Sequence, residues 1–244
     1  MKLVIDIGNT LSKVAVFDGT DIVELNTTKK ISVDYFHNLL ENLQDIQSSI
    51  IAHVADIDIQ IINYLASNLN LIVLNETTPL PFINKYETPS SLGYDRIAAV
   101  AGASGIFPNE NVLVIDAGSC ITYDFITSAK EYIGGGISPG LKMRFSALNT
   151  FTGKLPLINS DPEKSVKLIG TDTKKSILSG VQNGVLHEVD GIIDAYKMLF
   201  PGLKIVLSGG DYKYFDKTLK NNIFAIPNIV LRGLNRILDF NESY

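Results

Sequence analysis

Short apolar runs and helical stripes alternate along this chain. Residues 2–7 (KLVIDI) predict a buried strand ending at Gly8, and residues 12–18 alternate well enough to predict a second strand that turns back at Asp18 and Gly19. Together they predict a hairpin around residues 8–10. Tyr35, Leu39, Leu40 and Leu43 fall at helical spacing, and residues 50–54 read as a strand. Ile59, Ile62, Leu65, Ala66 and Leu69 then form another helical stripe ahead of a strand at 71–74. Strands come first and helix then alternates with strand, which is an α/β pattern.

The segment 77–93 carries Pro79, Pro81 and Pro89 without a clear period and is expected to be an ordered loop. Asp95 stands just ahead of an Ala-rich helix expected over 97–107. Residues 112–120 (VLVIDAGSC) repeat residues 2–10 (KLVIDIGNT): Leu3 matches Leu113, Asp6 matches Asp116 and Gly8 matches Gly118. Each copy is an apolar strand ending in Asp-x-Gly plus a small polar residue, followed by a returning strand. The pattern implies a duplicated module with its seam near residue 111, giving domains 1–111 and 112–244. Further on, residues 134–140 (GGGISPG) read as a glycine turn feeding a helix, with Ser138 as N-cap and Pro139 in the first helical position. Thr171 reads as the N-cap of a long helix that carries Ile177, Val181, Val185, Val189 and Ile193 inward. Its Gly180, Gly184 and Gly191 suggest close approach by another element. A strand at 204–207 follows, then Ser208, Gly209 and Gly210, and Pro227 precedes a last amphipathic helix.

Composition narrows the function classes. The 244 residues hold 26 acidic and 21 basic side chains, for a formal charge of −5, which argues against a polyanion as the main partner and so against nucleic acid. Hydrophobic residues make up 45%, so the chain can bury a full core and is not expected to be disordered. Cys120, the single cysteine, cannot form an internal disulfide, and no secretory leader pattern opens the chain. The expected address is cytoplasmic. No apolar run approaches the roughly 20 residues of a membrane-spanning helix.

Asp-x-Gly at the end of a buried strand suits a phosphate site. Glycine lets the backbone turn its N–H groups toward an anion, while the acid needs a cation such as Mg²⁺ riding on a nucleotide. A single copy is better explained by an Asx-type turn; two matched copies favour the cation role for Asp6 and Asp116. Lys13 stands where it can reach a phosphate or serve as an exposed ion-pair partner. Residues 93–96 (GYDR) put an acid and a planar cation at the mouth of a helix. Arg96 can take a carboxylate bidentately and Asp95 can accept the proton of an attacking hydroxyl, or the two can simply cap and pair at the helix start. His37, His53 and His187 show no ligand spacing, and neither a G-x-x-x-x-G-K-[ST] loop nor the protein-kinase motif set is present.

The ordered set DIGNT at 6–10, GYDR at 93–96, DAGS at 116–119, GGGISPG at 134–140 and TFTGKLP at 150–156 resembles type III pantothenate kinases across nearly the whole chain. The resemblance implies an α/β, actin-like ATPase fold of two duplicated ribonuclease-H-like domains with a cleft between them. It also implies transfer of the ATP γ-phosphoryl to pantothenate, the first step of coenzyme A synthesis. By position it makes Asp6, Ile7, Gly8, Asn9, Thr10, Leu11, Ser12 and Lys13 the first phosphate loop, with Ser119 also on ATP. Asp95 becomes the general base, while Tyr86, Gly93, Tyr94, Asp95, Arg96 and Thr171 hold pantothenate. Asp116 is implied to coordinate a monovalent cation, K⁺ or NH₄⁺, alongside ATP with Mg²⁺, and the family implies a homodimer. Ser119 and Cys120 depart from the Thr and Ala common at those positions, and residues 53–56 depart from the family's small-residue pattern. Two other readings share this sequence: a nucleotide-binding transcriptional accessory protein and a kinase for another small hydroxy acid.

Overall fold

The computed structural model describes the chain apart from residues 9, 10, 44, 54–56, 159–165 and 244. In chain order, β1 (Lys2–Ile7), β2 (Ser12–Asp18) and β3 (Asp21–Thr28) are followed by α1 (Val33–Asn42), β4 (Ser48–His53), α2 (Ile59–Asn68) and β5 (Asn70–Val73). Next come β6 (Ile83–Asn84), α3 (Tyr94–Ile106), β7 (Val112–Ala117), β8 (Cys120–Ile126), β9 (Glu131–Pro139) and α4 (Leu141–Thr150). The chain continues with α5 (Thr173–Leu178), α6 (Gly184–Leu199), β10 (Lys204–Ser208), α7 (Tyr212–Asp216), β11 (Phe224–Ala225) and α8 (Ile229–Glu242). No described helix is long and apolar enough to cross a membrane.

Two compact units emerge. The first comprises Met1–Pro108, Lys130–Ile133 and Asn228–Tyr244, and the second Asn109–Ala129 and Gly134–Pro227. In the first, the strands run in the order β3-β2-β1-β4-β5, with β1 antiparallel to β2 and parallel to β4. Leu3, Ile5 and Ile7 point to the face covered by Phe36 and Leu39 of α1 and by Ile61 and Leu65 of α2. The opposite face lies under α3 and α8. A strand buried on both sides reads as a continuous apolar run, which is why residues 2–7 were legible. Residues 21–28 lack that signature because β3 is an edge strand with mostly exposed side chains, and only its pairing with β2 defines it.

The last helix joins the first unit, not the second half of the chain as the 112–244 reading has it. The reason is steric: a Cβ on Gly233 would collide with the Ala98 carbonyl oxygen, and one on Gly102 with that of Ile229. Glycine on both helices lets α3 and α8 cross at backbone contact, which no larger residue would allow.

In the second unit the strands run β9-β8-β7-β10-β11, reproducing the order of the first, again with an antiparallel pair (β7 and β8) and a parallel pair (β7 and β10). The repeat seen in the sequence is therefore a repeat of topology. Residues 134–139, expected to be a turn, are strand, and α4 begins at Leu141 with Gly140 as N-cap, so neither Ser138 nor Pro139 opens the helix. A Cβ at Gly135 would strike the Tyr123 carbonyl, so this glycine serves close strand packing, not a bend. The long helix is α5, a π-helical turn at Ser179–Asn183, and α6 in succession. Its N-cap is Asp172, whose carboxylate accepts from the Lys175 N–H at 2.8 Å, one residue beyond the expected Thr171. Within the chain itself, nothing among the described residues lies against Gly180, Gly184 or Gly191.

Candidate functional site

The first hairpin joins β1 to β2 with Asp6 opposite Lys13 and Ile7 opposite Ser12. Side chains directly across an antiparallel ladder share a face, so the acid and the ammonium-bearing side chain are neighbours. The Gly8 N–H donates to the Leu11 carbonyl at 3.2 Å, closing the turn. Ile7 is part of the core and Ser12 is buried, whereas Leu11 is exposed; Asn9 and Thr10 lie outside the described residues. Lys13 Nζ donates to Asn228 Oδ1 at 3.4 Å, where the chain enters α8 with a left-handed residue (φ 58°).

The second hairpin joins β7 to β8 with Asp116 opposite Thr122 and Ala117 opposite Ile121. Its turn is shorter than the first: the Gly118 N–H donates to the Cys120 carbonyl at 2.8 Å, and Ser119 is left exposed at the tip. Two further segments press on this turn. Gly140 donates its N–H to the Ser119 carbonyl at 3.1 Å, and a Cβ there would collide with the Gly118 carbonyl. Asp211 donates its N–H to the Ala117 carbonyl at 2.9 Å, with Gly209 (φ +95°) also held against Ala117. Gly210 faces open space, a flat backbone surface. Burial raises the Asp211 carboxyl above its ordinary range, opposed by the charge of Lys142.

The third group gathers at the start of α3. Asp95 folds its carboxylate back over Gly93, into the space that a side chain there would occupy, and accepts from the Arg96 N–H at 2.8 Å. Arg96 is 5% exposed and lays its guanidinium over the Tyr86 ring, 5.5 Å from the centroid. Tyr86 in turn stacks on Tyr132 at 6.1 Å between centroids, and Phe82 meets Tyr132 edge-on. The structure thus brings Tyr86, Gly93, Tyr94, Asp95 and Arg96 together within the first unit, joining the proline-bearing loop to the helix mouth. Tyr132 was missed because it is a lone aromatic at the start of a glycine-rich strand; its role depends on the pairing of β6 with Glu131 and Tyr132. Thr171 is exposed in the second unit, just ahead of α5.

Also missed was a polar network behind the second hairpin. Arg144 Nη2 donates to Glu188 Oε2 at 2.7 Å and to Ser138 Oγ at 2.6 Å, and its Nε donates to the Pro139 carbonyl at 2.7 Å. Ser138 donates to Glu188 Oε1 at 2.6 Å, and the Tyr123 hydroxyl donates to the same oxygen at 3.3 Å. Burial opposes ionisation of Glu188, but the hydrogen bonds from Ser138 and Arg144 and the guanidinium charge hold its carboxyl below the ordinary value. Burial first, then the Glu188 charge, pushes the Tyr123 phenol up.

An open hollow of about 500 Å³ beside β5, lined in part by Leu69, Leu71, Leu238 and Asn241, contains none of the predicted site residues.

Two units of one strand order, each led by an acid-glycine hairpin, give the chain the duplicated α/β fold of the actin-like ATPase and sugar-kinase type. Solved structures share that fold. A protein described as a Baf family transcriptional activator from Campylobacter jejuni superposes with a TM-score of 0.64 at 22% identity, covering 99% of this chain and 100% of its own. One described as a 2-dehydro-3-deoxygalactonokinase from Sinorhizobium meliloti gives 0.59 at 11% identity with both chains fully covered. At such identities these likenesses establish the fold alone. The family model described as Type III pantothenate kinase matches residues 2–195. The Type III pantothenate kinase of Christiangramia forsetii is 46% identical over 244 residues, covering 100% of both chains. The chain belongs to the type III pantothenate kinase family.

Proposed function

We propose that this enzyme transfers the γ-phosphoryl group of ATP to the primary hydroxyl of pantothenate, forming 4'-phosphopantothenate and ADP at the entry to coenzyme A synthesis. The observation that carries the reading is the Tyr86, Asp95 and Arg96 cluster, an acid beside a planar cation at one helix mouth. The Arg96 fork suits the pantothenate carboxylate, with Tyr86, Gly93, Tyr94 and Thr171 as further contacts. Asp95 aligns the hydroxyl with the γ-phosphorus. As the new O–P bond forms and the bond to the β-γ bridging oxygen breaks, the hydroxyl proton passes to the Asp95 carboxylate and ADP leaves.

The first hairpin, residues 6–13, holds the phosphates with its turn and with Lys13, and Ser119 is a further nucleotide contact. No cluster of three or more His, Cys, Asp or Glu among the described residues is arranged to hold a metal ion. Single carboxylates at hairpin turns instead fit an ion carried mainly by the nucleotide's own phosphates, as Mg²⁺ is. When bound, Mg²⁺ neutralises charge on the β- and γ-oxygens. Asp116, beside a turn rich in backbone carbonyls, supplies the donor chemistry a K⁺ or NH₄⁺ ion requires.

A homodimer is supported by Gly180, Gly184 and Gly191, which leave open space along the long helix where a second backbone can approach. A cytoplasmic address is supported by the single cysteine. The charge of −5 gives no support to a role on DNA. ADP release measured with pantothenate against a panel of sugars and other hydroxy acids tests the assignment: release with pantothenate alone is expected, and a stronger response to another acid would redirect it.

A further inference from the structure

The Arg144 network ties three successive segments, β8, β9 and α4, to the distant helix α6. Glu188 sits on α6, Arg144 on α4, Ser138 and Pro139 at the end of β9, and Tyr123 on β8. The charged pair is largely withdrawn from water, with side chains 20% and 28% exposed for Arg144 and Glu188. The charge-assisted hydrogen bonds of 2.6–2.7 Å are the strong kind; those among Ser138, Arg144 and Glu188 are partly buried, and the one to the Pro139 carbonyl is exposed. Ser138 both accepts from Arg144 and donates to Glu188, so its hydroxyl is locked in one orientation.

What the network immobilises is the Ser138–Pro139 backbone. Arg144 holds the Pro139 carbonyl through Nε while the same guanidinium holds the Ser138 side chain. The next residue is Gly140, whose N–H donates to the Ser119 carbonyl and where a Cβ would collide with the Gly118 carbonyl. A displacement at Pro139 therefore reaches the tip of the second hairpin through one residue. Exposed ion pairs contribute little, whereas this one is bound to two backbone-defining contacts.

We infer that Arg144 and Glu188 are positioning residues for the nucleotide, fixing the Gly118–Ser119 turn through Gly140. The inference rests on the proposed contact of Ser119 with ATP. It involves neither the pantothenate cluster nor Asp95, so its signature is selective: nucleotide affinity changes while acceptor affinity does not.

The test combines ADP binding by calorimetry with steady-state kinetics. Arg144→Met is expected to weaken ADP about tenfold and to raise the KM for ATP by a similar factor, the scale of losing hydrogen bonds to a charged group. The pantothenate KM should stay within about twofold. Arg144→Lys keeps the charge but loses the fork to Pro139, and is expected to fall between the two. Glu188→Gln should weaken ADP by about threefold. A lower melting temperature with unchanged ADP affinity, or equal rises in both KM values, would overturn the inference and leave a purely structural brace. Should Arg144→Met not fold, unchanged ADP affinity in both Arg144→Lys and Glu188→Gln overturns it equally. A wild-type protein that binds ADP but does not phosphorylate pantothenate would defeat the functional reading while the ADP titrations still decide the positioning role; one that binds no ADP would defeat both.

Discussion

The two acid-glycine hairpins share a strand order and a sequence signature, yet their cross-strand partners differ. Asp6 faces Lys13, whereas Asp116 faces Thr122. Where the acid has a cationic neighbour on the same face, the hairpin offers both signs of charge, as a metal-bearing phosphate chain requires. In the second hairpin the acid stands opposite a neutral hydroxyl instead. The turns differ too: the first closes from Gly8 to Leu11, the second from Gly118 to Cys120, and only the second carries the Arg144 and Glu188 brace. Duplication thus supplied two copies of one backbone device, and under the proposed function their different side chains divide the tasks.

That division can be broken most severely from outside both hairpins. Asp95→Asn should lower kcat by roughly 10² to 10⁴ fold while ADP binding by calorimetry stays as in the wild type. Unchanged turnover would remove Asp95 from the chemistry, and lost ADP binding would show that the α3 mouth also serves the nucleotide. Lys13→Met comes next: removing a point charge from the phosphates should raise the KM for ATP by roughly 10- to 100-fold. An unaltered KM would mean that Lys13 only pairs with its own neighbours. Arg96→Lys, measured by varying each substrate in turn, should raise the pantothenate KM about tenfold with a smaller rise for ATP; equal rises would contradict the carboxylate assignment.

A smaller effect separates the hairpins directly. Replacing K⁺ by Na⁺ should cut activity several-fold in the wild type and in Asp6→Asn, as far as residual turnover can be followed, but not in Asp116→Asn. If the dependence survives at Asp116→Asn, the cation lies elsewhere. Smallest is a pH effect on stability. The Glu188 carboxyl is held below its unfolded value of about 4.3, so its contribution is present above that pH and is lost as pH falls through the folded value. The melting temperature of Glu188→Gln should accordingly lie about 2–4 °C below wild type at neutral pH, with the gap closing below about pH 4. A gap independent of pH would show that charge plays no part in the brace.

Much of the fold was legible because buried parallel strands must be apolar on both faces; β1, β4, β7 and β10 all carry that mark. The GYDR cluster was legible for a different reason: its residues are consecutive, and their juxtaposition needs only a helix start. Residues 134–139 misled because glycine is favoured in turns and depleted in strands, so the local signal pointed away from β9. The deciding fact, the Tyr123 carbonyl against Gly135, belongs to another strand. Arg144 and Glu188 were invisible because 44 residues separate two side chains of ordinary surface type.

The amino-acid order alone settled the duplicated strand-turn-strand units, the acids at their ends and the acid-cation pair at the mouth of α3. These depend on periodicity and on neighbours along the chain. Folding in three dimensions decided that α8 packs with the first unit, that β9 is a strand, and that Arg144 lies behind the second hairpin. Each of those outcomes turns on whether atoms from distant segments fit at contact distance, and close packing, not local preference, sets that fit.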